Sequence, residues 1–199
     1  MQGKMVNRRR ARVVLGGALI LLVDCSQSRK TDEQLDQART ALAAARYDQC
    51  ARLLEPAFRE GIPRRDLAEA LYMRAQCRVR SGAREAARQD LRRALTAART
   101  DALRALIRAQ SGNLHFDDGA YAAAAGDYGR ALNDLPRRPP IDRVMHQYAT
   151  ALERVGKTKQ ARRVRAELRT DFPRSRYVTG GPVATATARS SGGGFAIQC

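Results

Sequence analysis

The side chains best able to do chemistry in this 199-residue chain are few and far apart. Its two histidines, His115 and His146, have no partner at metal-ligand or catalytic spacing. They therefore read as packing or surface residues. Acidic residues are scattered and mostly flanked by arginine, as in Arg84-Glu85 and Gln89-Asp90-Leu91-Arg92. That pattern describes solvated ion-pair faces. Gly192-Gly193-Gly194 has no following helix and makes no phosphate loop. Cys50 and Cys77 fall where two helices could face each other. A disulfide between them suits an exported domain; two small buried thiols suit any compartment, and position 50 asks only for a small residue, which favours the thiols. Neither catalysis nor a metal or cofactor follows from these residues, and the chain reads as a binding protein.

A different chemistry is open to Cys25. Lys4 to Arg12 carries five positive charges, and an apolar run from Val13 to Val23 follows it, then Asp24-Cys25. A basic region, a short apolar region and a processing site make up a secretory signal. Eleven apolar residues form a helix of roughly 16 Å, against about 30 Å of bilayer hydrocarbon. Leu22 and Cys25 resemble the lipobox of bacterial lipoproteins, although Asp24 stands where that pattern has Gly, Ala or Ser. The resemblance implies cleavage before Cys25 and acylation of its thiol and new amino group, and two chains suffice for stable anchoring. We expect a signal peptide over 1–24 and a tether over 25–31.

The rest of the chain is organised by repetition. Four segments align at a constant spacing of 37 residues. A small residue recurs as Ala38, Ala75, Gly112 and Ala149, and a turn position as Ala45, Gly82, Gly119 and Gly156. Within the following segment Cys50, Ala87, Ala124 and Ala161 correspond, then Ala57, Ala94, Ala131 and Leu168. Ala, Leu and Arg dominate, aromatics are 5% and Trp is absent. Such a chain favours helices packed closely through small residues. Pro63, Pro136 and Pro173 fall at helix ends, and Pro139-Pro140 opens the fourth unit.

The third copy, with Gly112, Gly119-Ala-Tyr121, Ala124, Tyr128, Ala131-Leu132 and Pro136, resembles the tetratricopeptide repeat family. The likeness covers roughly 32–173. It implies an all-α fold, a right-handed α-solenoid of about four helix-turn-helix repeats that bury their faces only by stacking. In that family the first helices line a concave groove that binds extended peptides or other proteins. Carried over by position, one row of the groove holds Arg39, Gln76, Asn113 and Thr150. A second holds Leu35, Tyr72, Ala109 and His146, and a third Ala43, Arg80, Asp117 and Arg154. Gln76 and Asn113 could bond a peptide backbone, Arg39, Arg80 and Arg154 could pair with carboxylates, and Tyr72 and Phe116 could anchor apolar groups.

Lys and Arg outnumber Asp and Glu by 37 to 20, a net charge of +17. Second helices carry Arg88, Arg92 and Arg93, and Arg162, Arg163, Arg165 and Arg169, without the interleaved aromatics that single-stranded nucleic acid would want. Beyond Pro173, residues 174–199 read as a flexible Gly/Ser/Thr/Ala-rich tail. Its end, Phe195-Ala-Ile-Gln-Cys199, resembles the opening strand of the sporulation-related peptidoglycan-binding repeat, which implies a chain that stops as that domain begins. The combined expectation is an exported, lipid-anchored scaffold that holds a protein partner in the cell envelope, facing the periplasm or the outside. At the level of architecture it resembles repeat-containing lipoproteins of outer-membrane assembly and periplasmic repeat proteins of division. The alternative is a cytosolic adaptor for an acidic partner or nucleic acid.

Overall fold

The computed structural model describes residues 29–135 and 141–179. The signal segment, Cys25, Pro136, Pro139-Pro140 and the strand-like end at 195–199 lie outside the described residues. Eight helices and no strand are found among them. They are α1 (29–43), α2 (Tyr47–Glu60), α3 (Leu67–Arg80), α4 (Arg84–Ala97), α5 (Asp101–Asp117), α6 (Tyr121–Asp134), α7 (Ile141–Arg154) and α8 (Thr158–Asp171). The first described residues, 29–31, are helical rather than part of a tether.

The repeat is exact where the second helices begin: Tyr47, Arg84, Tyr121 and Thr158 are each 37 residues apart. One turn geometry produces this. Ala45, Gly82, Gly119 and Gly156 all take positive φ, at 56°, 86°, 76° and 79°. The amide that follows each then reaches back five residues, as Ala83 N–H does to Arg78 O at 2.8 Å and Ala120 N–H to His115 O at 2.9 Å. This is the Schellman closure of a helix, which satisfies carbonyls left without an intrahelical donor. Ala45 adopts without glycine a conformation that costs an L-residue about 1–2 kcal/mol.

The first three second helices present a buried stripe at i, i+4 and i+7: Cys50, Leu54, Ala57; Ala87, Leu91, Ala94; Ala124, Tyr128, Ala131; α8 buries Ala161, Val164 and Leu168 at i, i+3 and i+7. Consecutive helices pack in order along the chain, and α3 also touches α5. The core is therefore a row of clusters, one per junction, and the fold is an all-α solenoid. Cys50 on α2 and Cys77 on α3 are joined in a disulfide, with Cα atoms 6.0 Å apart, rather than left as separate thiols.

Two expectations need correction. Asp90 is not on a solvated face; it is 1% exposed and receives two bonds from the equally buried Arg74, at 2.7 and 2.9 Å. Arg78 adds a third at 2.7 Å, Glu55 braces both arginines, and Phe58 lies 3.7 Å from the Arg74 guanidinium. The second correction concerns the tail. Residues 174–179 are turns packed on α7, so the folded unit runs to at least 179.

Candidate partner-binding groove

The first helices of the repeats, α1, α3, α5 and α7, share one side of the solenoid. Two adjoining cavities of about 580 and 770 Å³ run along that side and have Tyr72, Gln76 and Leu106 in common. They form a continuous groove. Arg39, Leu42, Glu69 and Leu103 border its first part, and Asn113, Arg143, Val144 and Gln147 its second. At its centre stands Leu106, 39% exposed and the one large exposed hydrophobic among the described residues. A solvated leucine between an aromatic and two amides is the kind of feature that marks a binding surface.

The polar walls differ in how far they are satisfied. Arg39 bridges Asp36 on its own helix and Glu69 on α3. Gln76 hydrogen-bonds the Tyr72 hydroxyl. Burial pushes that phenol up to about 12 against the opposing effect of this bond, so Tyr72 stays protonated at physiological pH. Asn113 accepts from the buried Tyr128 hydroxyl at 2.9 Å through its side-chain oxygen, which leaves its NH₂ toward Gln110 and the cavity. Arg99, Arg143 and Arg174 have no carboxylate partner among the described residues.

The carboxyl-terminal side of the groove is closed by residues 172–179, which we call the strap. Ser175 donates to Asp142 at 2.6 Å, and Tyr177 stacks on His146 with ring centroids 4.9 Å apart. The strap's own turn is held by Val178 N–H and Thr179 N–H on Ser175 O. His146 is thereby covered, its Nδ1 is buried without a hydrogen-bond partner among the described residues, and burial first and then the nearby Arg165 lower its pKa, with Glu153 opposing.

Of the residues assigned to the groove from sequence, Arg39, Tyr72, Gln76 and Asn113 line it, and five do not. His146 is under Tyr177. Thr150 donates to the His146 carbonyl and lies beside Arg165, facing the second helix. Phe116 packs edge-on against Tyr121 at 5.2 Å within the core. Arg154 sits over the same Tyr121 ring at 5.4 Å, and Arg80 is exposed at the end of α3. Arg80, Phe116 and Arg154 lie in the last turn of their helices, outside the lining of the groove. The row that sequence reasoning passed over is Glu69, Leu106 and Arg143, two turns before Gln76 and its equivalents. An apolar residue flanked in the other repeats by charged ones was its signal.

No family model matches the chain, and no curated protein is similar to it. Among solved structures, MamA AMB-1, a tetratricopeptide-repeat protein, superposes with a TM-score of 0.60 at 18% identity. The match covers 79% of this chain and 81% of MamA. It concerns the fold alone, and that fold is a tetratricopeptide-like solenoid.

Proposed function

We propose that this chain is a non-enzymatic scaffold that holds an extended segment of a partner protein along α1, α3, α5 and α7. The observation that carries this is the continuous groove, centred on a solvent-exposed Leu106 and bordered by amide side chains able to bond a peptide backbone. We further propose that it works in a bacterial cell envelope, held there by acylated Cys25. Two features support that location: the basic-apolar-Cys order of the amino terminus, and the Cys50–Cys77 disulfide, which persists in oxidising compartments. Cleavage before Cys25 leaves a net charge of +13, which suits a protein held beside anionic lipid.

Fractionation and lipid labelling of the full chain beside Cys25→Ala tests the location. Labelled, membrane-bound wild type with an unlabelled variant is the expected result. Unprocessed, unlabelled protein in the cytoplasm would overturn the envelope assignment while leaving the scaffold untouched.

A further inference from the structure

The groove carries more cations than it can pair internally. Three carboxylates line it, and each is engaged: Glu69 by Arg39, Asp142 by the Ser175 hydroxyl, and Asp171 by a contact of its own. Arg99, Arg143 and Arg174 come from three different elements: the connector before α5, the start of α7, and the strap. All three border the cavities centred on Leu106. Unpaired arginines on an outer helix face are ordinarily just solvated. Here they converge from separate elements on one concavity with a largely apolar floor, where arginines outnumber the lining carboxylates Glu69, Asp142 and Asp171 and so favour an anionic occupant.

The strap's place in the wall is fixed by a small set of specific contacts. The Ser175–Asp142 bond, the Tyr177–His146 stack and the packing of Phe172 and Val178 on α7 hold it against the solenoid. Arg174 therefore reaches the groove only while the strap is docked.

We infer that the occupant of the groove is an acidic extended segment carrying a bulky apolar side chain, and that the docked strap is one wall of its site. The apolar group seats on Leu106 and Tyr72, and flanking carboxylates meet Arg99, Arg143 and Arg174. The inference rests on the scaffold reading, and the experiment separates the two. A random display library of peptides about twelve residues long, an extended reach of roughly 40 Å, is selected on the full-length chain. Enriched peptides are then made as fluorescent probes beside their Asn/Gln isosteres.

Enrichment in Asp and Glu around an aromatic or aliphatic residue is expected. The triple variant Arg99→Glu, Arg143→Glu, Arg174→Glu should weaken the probe about tenfold or more. Lys159→Glu, Arg162→Glu, Arg169→Glu is the charge-matched control on the exposed face of α8, and should weaken it less than about threefold. Ser175→Ala with Tyr177→Ala, checked for an intact helical fold by circular dichroism, should weaken the acidic probe and leave its Asn/Gln isostere less affected. Equal losses in both triple variants would overturn the inference in favour of general attraction to a basic protein. Neutral or basic peptides that bind, and are lost on Leu106→Asp alone, would overturn the acidic occupant yet keep the groove. If no selected peptide responds to Leu106→Asp, the scaffold reading falls with it.

Discussion

His146 shows how a single residue can report on the strap. Buried beneath Tyr177 with an unpartnered Nδ1 and Arg165 nearby, it holds its proton less readily than a free imidazole. The unfolded chain, with an imidazole pKa of about 6.5, therefore binds more protons than the folded one in the window below that value. Stability must fall as pH drops through it, and the loss is complete once the pH is below the folded pKa. Thermal unfolding between pH 8 and 5.5 should show this decline in the wild type and a flatter profile in His146→Phe, which keeps a stacking ring. Glu153, held below the usual carboxylate range chiefly by its hydrogen bond with Arg165, acts in a separate and more acidic window. No spacing in the sequence announced the stack. Its two partners are 31 residues apart, and the strap carries no helical or strand periodicity.

At the scale of elements, the close approach of paired helices is set by matched volumes. In the first three repeats a small first-helix residue faces a large second-helix one. Ala38 shares a cluster with Leu54 and Ala75 with Leu91, while Gly112 lies under the Tyr128 ring. A Cβ at Gly112 would stand 2.8 Å from a Tyr128 ring carbon. Gly112→Ala alone should destabilise by about 1–3 kcal/mol through overpacking. Combined with Tyr128→Leu, which reproduces the pair of the first two repeats, part of that cost should return, as a double-mutant cycle in urea would measure. The same register explains a polar pair. Arg78 and Asp90 correspond, 37 residues on, to His115 and Asp127, which are in contact at 3.0 Å. In the first and fourth repeats apolar residues stand there: Ala41 and Leu53, Leu152 and Val164. The helices, their turns and their small residues were legible because a repeat presents each constraint four times. The buried Arg74–Asp90 pair was not, since a carboxylate beside arginines looks the same in sequence whether solvated or enclosed. Its burial follows from stacking, which brings α2 and Phe58 over it.

For the molecule as a whole, a row of clusters with no central core makes each junction answer mainly to its neighbours. The disulfide ties the first junction, and the strap covers part of the last cluster, so both ends of the solenoid have reinforcement of their own. The concave side was legible as a set of rows, and Arg39, Tyr72, Gln76 and Asn113 lie on it as those rows imply. The sequence could not say how far along each helix the groove extends. That limit comes from the strap and from the ends of helices turning their side chains into neighbours, which is why Leu106 and not Phe116 forms its apolar centre.

Site-specific photocrosslinking in the living cell tests the scaffold claim most directly. A photoreactive residue is placed at Leu106 in the groove or at Arg162 on the exposed face of α8. The account predicts a discrete protein adduct from position 106, suppressed by Tyr72→Ala with Gln76→Ala, and none of that mass from position 162. The same adduct from both positions, or a defined adduct from position 162 alone, would contradict it.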